Sequence, residues 1–177
     1  RPRYGRPYTW FGPHTRCKEH PLVKVGFGAD HAGFELKQHL METAKSLGHE
    51  AVDYGTYSAD SVDYPDFAEP VARDTVAGEV DLGVVVCSNG VGVSIVANKV
   101  PGARAALCHT GWGASRARQH TDANVLALGA WEIGRAIADE CLMAFLASTP
   151  EEGNHARRRD KLAKVERRGI GAAANPS

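Results

Sequence analysis

The 177-residue chain has no apolar run as long as a membrane span and no excess of either charge, with 21 Lys+Arg against 21 Asp+Glu. The first absence argues for a soluble body with no membrane partner. The second removes the global field that would draw the chain to nucleic acid or to acidic partners. Cysteine is scarce as well: Cys17, Cys87, Cys108 and Cys141 form no CxxC pair and match no zinc or disulfide spacing. Three of them lie in apolar segments, where a free thiol behaves as a small hydrophobe, so a reducing, cytoplasmic setting is expected. Residues 1–21 carry cations without the apolar stretch of a secretory signal. Their prolines and scattered aromatics read as an N-terminal extension or an arm laid on a neighbouring subunit. There is also no P-loop, which needs Gly-Lys-Ser/Thr, and no GxGxxG fingerprint.

From residue 22 to about residue 168, short apolar runs alternate with helical patterns in what reads as one domain. Strands are expected at 23–28, 50–54, 82–86, 103–107 and 124–128. The run at 82–86 is continuous and β-branched, as suits a strand covered on both faces. Helices are expected after the first strand, with Leu36, Leu40, Ala44 and Leu47 on one face. Others follow from Pro65 to about Val76, over 132–147, and over the charged segment 151–168. Residues 169–177 read as a frayed, disordered tail. Alternation of this kind means βαβ units around a parallel sheet, an α/β fold. In such sheets ligands bind beyond the carboxyl ends of the strands. That rule singles out residues 28–33, 87–92 and 108–112.

The loop Cys87-Ser88-Asn89-Gly90-Val91-Gly92 follows the strongest strand and precedes a short helix. Its glycines allow a tight turn, and its amides with the helix terminus behind them favour negative charge, either a phosphate or a developing oxyanion. The same amides favour the thiolate of Cys87, which could then act as base or nucleophile. Spacing alone leaves a buried structural cysteine as the competing reading. Asp30, followed by His31, and Asp63, followed by Tyr64, each precede a helix, where capping is the simpler account.

Taken in order, GADHAGFELK (28–37), SVDYPDFA (61–68), VCSNGVGVSIVANKVPGARAALCH (86–109), RQHTDANVLALG (118–129) and HARRR (155–159) resemble the ribose-5-phosphate isomerase B family, which includes galactose- and allose-6-phosphate isomerases. The resemblance implies a flavodoxin-like three-layer sandwich around a five-stranded parallel sheet. It also implies a homodimer, with dimers able to pair into tetramers, whose active sites draw on both subunits. The implied reaction is aldose–ketose isomerisation through a cis-enediolate, with no cofactor and no metal. Cys87 is then the base, while Val93 stands where another lineage of the family carries a glutamate base. The amides of Ser88 to Gly92, including Gly90 and Val91, stabilise the enediolate. His120, aided by Asp30, assists ring opening. His31 and Arg158 contact the phosphate, and Asp63, Tyr64 and Asn98 contact hydroxyls or hold the loop. His109 is expected among the substrate-binding residues.

The chain departs from the family pattern at three places. Asn89 replaces the usual Ser/Thr, and an amide is a poor proton shuttle; Ser88 is the nearest hydroxyl. Trp131 and Asn154 stand where two phosphate-binding arginines are usual. Trp112 and Trp131 could offer a sugar an apolar face, or could be ordinary interface aromatics. Ribose 5-phosphate is the default substrate. The alternatives are an unphosphorylated or differently substituted sugar, and a non-catalytic sugar-binding relative.

Overall fold

The structure is a computed structural model that describes residues 21–174. The extension and Cys17 therefore lie outside the described residues, apart from Pro21. Five strands, β1 (Lys24–Ala29), β2 (Glu50–Asp53), β3 (Leu82–Cys87), β4 (Ala105–Leu107) and β5 (Val125–Gly129), form one parallel sheet in the order β2-β1-β3-β5-β4. Six helices alternate with them or follow them: α1 (Phe34–Ser46), α2 (Pro65–Ala77), α3 (Val91–Ala97), α4 (Gly111–Thr121), α5 (Arg135–Leu146) and α6 (Asn154–Ala174). None is long and apolar enough to cross a membrane.

β3 is central because its sequence, LGVVVC, can be buried on both faces. Successive side chains point to opposite sides of a strand. Val84 and Val86 thus join the core beneath α1, α4 and α5, and Val85 and Cys87 join the core beneath α2 and α3. Register then sets the site, because Ala29 pairs with Val86, and Cys87 pairs with Gly129. The ends of β1, β3 and β5 meet at one level.

Several expected boundaries move. The helix expected over 132–147 begins only at Arg135, because residues 130–134 turn beneath the end of β5. The tail expected to fray from Gly169 is still helical through Ala174. Leu47 does not share the buried face of α1: it is the C-cap and stands exposed, and Met41 packs inward on that helix instead. Neither aspartate caps a helix. Tyr64 holds the cap position of α2, with no side-chain cap bond, and Gly33 holds that of α1. Asp30 instead folds back to accept the Gly33 amide at 3.0 Å.

Cys108 and Cys141 are free thiols buried in the larger core. Burial pushes the first up to about 11 and the second up to about 12. Both remain neutral and serve as packing.

Candidate active site

At the end of β3 the chain makes a turn that only glycine fills well. Gly90 has φ +75°, and a Cβ there would lie 2.4 Å from Leu107 Cδ1 and 2.8 Å from the Leu128 carbonyl carbon. The turn brings the Gly90 amide back to donate to Cys87 Sγ at 3.1 Å. The Val91 amide donates to Asn89 Oδ1 at 3.0 Å, and the Cys87 thiol lies 3.9 Å from the same oxygen. One amide of the loop thus aims its N–H at the sulfur. Another fixes the Asn89 side chain, which has its NH₂ left to offer a ligand. Val93, one turn into α3, is buried in the core and takes no part.

Two neighbouring strand ends lock this loop. Ala130 donates to the Cys87 carbonyl at 2.8 Å, and Trp131 donates to the Ser88 carbonyl at 2.9 Å. A Cβ on Gly129 would meet the Asn89 backbone at 2.7 Å, so β5 and the loop are in direct contact. The Trp131 indole is 79% exposed beside the loop. On the other side the Asp30 amide donates to the Val86 carbonyl at 3.3 Å. His31 Nδ1 accepts the Val62 amide at 3.2 Å, which places the ring proton on Nε2. Tyr64 lies over α3, where a Cβ on Gly92 would come within 2.8 Å of its ring. Asp63 is exposed at the same corner. Thus Asp30, His31, Tyr64, Ser88, Asn89 and Trp131 gather around Cys87.

Asn98 bridges α3 and β4. Its side chain donates to the Ala105 carbonyl at 3.0 Å and accepts the Ala105 amide at 2.8 Å, holding edge strand β4 to α3. His109 and Trp112 are exposed beyond β4, and the Arg116 guanidinium lies 5.8 Å from the Trp112 ring centroid.

The second group of side chains sits on α4, on the start of α6 and on the turn before it. His120 and His155 stack with centroids 3.9 Å apart and planes 11° from parallel. Glu151 approaches His155 Nε2 at 3.6 Å and Arg116 at 3.8 Å. Burial, the His155 ring and the guanidiniums of Arg116 and Arg158 all lower the His120 pKa below the ordinary 6.5, with Glu151 pulling the other way. Ligand-type atoms of His120, Glu151 and His155 lie within 4.8 Å of one another, a spacing that could admit a metal ion. The flanking guanidiniums repel a cation, so this cradle suits an anion better. Arg158 is exposed, and Asn154 accepts from Arg157 at 3.3 Å. The cluster and the Cys87 loop stand on different elements, the first on α4, the start of α6 and the turn before it, the second between β3 and α3.

Reading the sequence alone misses Glu151, Arg116 and His155 as members of the cluster. The expected helix over 151–168 begins only at Asn154, so Glu151 lies in the turn before α6, held by its amide donating to the Gln119 carbonyl at 2.8 Å. Nothing in sequence order announces the stack on His120.

A thiol and converging amides at the carboxyl ends of a parallel sheet define a ligand site of the α/β class, and similarity to known proteins gives its family. The model of the Ribose/Galactose Isomerase family matches residues 25–162, and the chain belongs to that family. It is 41% identical over 147 residues to ribose-5-phosphate isomerase B of Escherichia coli, covering 83% of this chain and 99% of the relative. It is 44% identical over 149 residues to the Mycobacterium tuberculosis protein of the same name, covering 82% and 91%. Among solved structures, the Clostridium thermocellum ribose-5-phosphate isomerase B superposes with TM-score 0.80 at 43% identity, covering 82% of this chain and 98% of that one. The Mycoplasma genitalium enzyme, solved with bound ribulose 5-phosphate, gives 0.78 at 38% identity, covering 81% and 96%.

Proposed function

We propose that this chain interconverts ribose 5-phosphate and ribulose 5-phosphate, with Cys87 as the proton-transferring base. The observation that carries the reading is the Gly90 amide donating to Cys87 Sγ at the end of the central strand. The names of the relatives support a phosphorylated pentose over the alternative sugars.

In this mechanism the Cys87 thiolate takes the proton from C2 of the open-chain aldose. The electron pair moves onto the C1 carbonyl oxygen and forms a cis-enediolate. The loop amides not used internally stabilise that oxygen. The thiol returns the proton to C1, while the C2 hydroxyl proton passes to the C1 oxygen and leaves a ketone at C2. Ser88 is the nearest hydroxyl for that transfer and Asn89 a hydrogen-bond donor beside it. His120, kept neutral, can accept or donate the proton needed for ring opening. His31 offers its Nε2–H, and Arg158 with the neighbouring cationic groups draws the phosphate.

The placement of the two groups on different elements is consistent with a homodimer in which the Cys87 loop of one subunit meets the histidine cluster of the other, and a cytoplasmic setting accords with the free thiols at Cys87, Cys108 and Cys141. Exposed Val91 and Ile95 on α3 and Leu162, Val165 and Ile170 on α6 provide apolar surface for that contact. The test uses two inactive variants, Cys87→Ala and His120→Ala, unfolded together and refolded as a mixture. Shared sites restore activity toward ribose 5-phosphate in about a quarter of the sites, because half the dimers are mixed and each carries one intact site. No recovery would show that each subunit works alone. A panel of free and phosphorylated pentoses, tetroses and hexoses tests the substrate, and a preference for free sugars would defeat the reading.

A further inference from the structure

Lys37, on α1, is completely buried. A lysine on a surface helix ordinarily extends its ammonium to water, and burying that charge demands a partner. The partner is Asp53 at the end of β2, which forms an ion pair with the Lys37 ammonium. The rings of Phe34 and Tyr57 lie 5.9 and 5.7 Å from it. The proton transfer at Cys87 makes no use of this cation.

What the pair does follows from the bonds leaving Asp53. The oxygen that receives Lys37 also accepts the Gly55 amide at 2.8 Å, and the Asp53 carbonyl accepts the Tyr57 hydroxyl at 3.3 Å. Gly55 and Thr56 then grip the last residue of β1. Ala29 donates to the Gly55 carbonyl at 2.8 Å, and Thr56 donates to the Ala29 carbonyl at 2.8 Å. The next two residues are Asp30 and His31, and the segment continues to Val62, whose amide sets the His31 tautomer. An uninterrupted set of bonds therefore runs from the buried ammonium to the imidazole beside Cys87.

We propose that Lys37 and Asp53 are positioning residues of the isomerase: the buried pair anchors the start of the segment 54–62 and, through that segment and Ala29, the place and tautomer of His31. The role rests on the reading of the site as an isomerase with His31 against the substrate. Cys87 is held by β3 and β5 through bonds of its own, so disturbing the pair weakens substrate binding more than proton transfer.

Lys37→Met and Asp53→Asn keep the side-chain shapes and remove one charge each. With ribose 5-phosphate, KM rises by about 10–100-fold in each, as misplacement of a contact from a distance can do, and kcat changes by less than about threefold. The double variant loses no more than the worse single one, as coupled residues do. In the free protein the 15N signals of His31 move from the Nε2–H pattern toward a tautomer mixture in Asp53→Asn. That readout needs no turnover, so it separates failure of this proposal from failure of the isomerase reading. If Asp53→Asn does not fold, because its buried ammonium is left unpaired, Lys37→Met carries the test with the same KM and His31 readouts. A lower melting temperature with unchanged KM and unchanged His31 signals would overturn the proposal and leave the pair a purely structural one.

Discussion

The Cys87 loop and the His120–His155 cluster are built in opposite ways. The loop is made of backbone: amides on sulfur and on a side-chain oxygen, carbonyls tied to the next strand, and close approaches that admit only glycine. The cluster is made of side chains on α4, on α6 and on the turn that precedes α6, partly exposed and joined by stacking and long ion pairs. A backbone-built site is rigid before substrate arrives, which is what transition-state stabilisation requires. A side-chain cluster at a helix surface can adjust to an anion and to a second subunit. On the function proposed above, proton transfer at carbon belongs to the first, and ring opening and phosphate recognition to the second.

The sharpest way to break that division is to remove the sulfur. Cys87→Ala lowers kcat toward ribose 5-phosphate by about 10³-fold, within the range for loss of a general base, and leaves the fold in place because alanine fits the same core face. Substrate binding, measured by thermal shift with ribose 5-phosphate, persists, since the recognition groups remain. Turnover surviving in the variant would move the base elsewhere. Next in size is Gly90→Ala. The new methyl group strains a left-handed residue and collides with β5 and Leu107, so the loop must shift. A shift of about 1 Å costs about 10²-fold in kcat. The strain of about 1–3 kcal/mol lowers the melting temperature by several degrees. Unimpaired kcat would mean that the loop need not be rigid.

The same contrast explains how much the sequence discloses. The β3 run and the CSNGVG loop are contiguous, so strand, turn and thiol could be read together, and the order of strands and helices with them. The Asn98 clamp on Ala105 is hidden because the edge strand it holds is only three residues long. Trp131 is 43 residues beyond Ser88, yet its amide is bonded to the Ser88 carbonyl because β3 and β5 are neighbours in the sheet. The histidine stack depends on where α6 comes to rest against α4, which no local pattern encodes. Lys37 carries the plainest misdirection. Its charge suggests a solvated position, whereas its burial follows from a partner in β2 that only the tertiary fold supplies.

The smallest predicted effect tests the cluster itself. Burial, then His155, then Arg116 and Arg158 hold His120 neutral below the ordinary 6.5, and Glu151 opposes them. A group whose folded pKa is depressed contributes stability above its unfolded value and loses it as pH falls through the folded value. The His120 contribution is therefore complete above about pH 6.5 and declines on acidification below it. The acid limb of kcat/KM reports the same group in the free enzyme and lies below 6.5. His155→Ala removes the stacked ring, admits water and deletes one of the positive partners, so the limb moves up toward 6.5. The variant then loses a larger share of its activity between pH 8 and pH 6 than the parent does. The His120 ring signal followed by NMR should titrate at the same raised pH. If the ring titrates higher but the activity limb stays where it was, His120 is not the group that governs the acid side of the reaction, and the cluster is left with phosphate recognition alone.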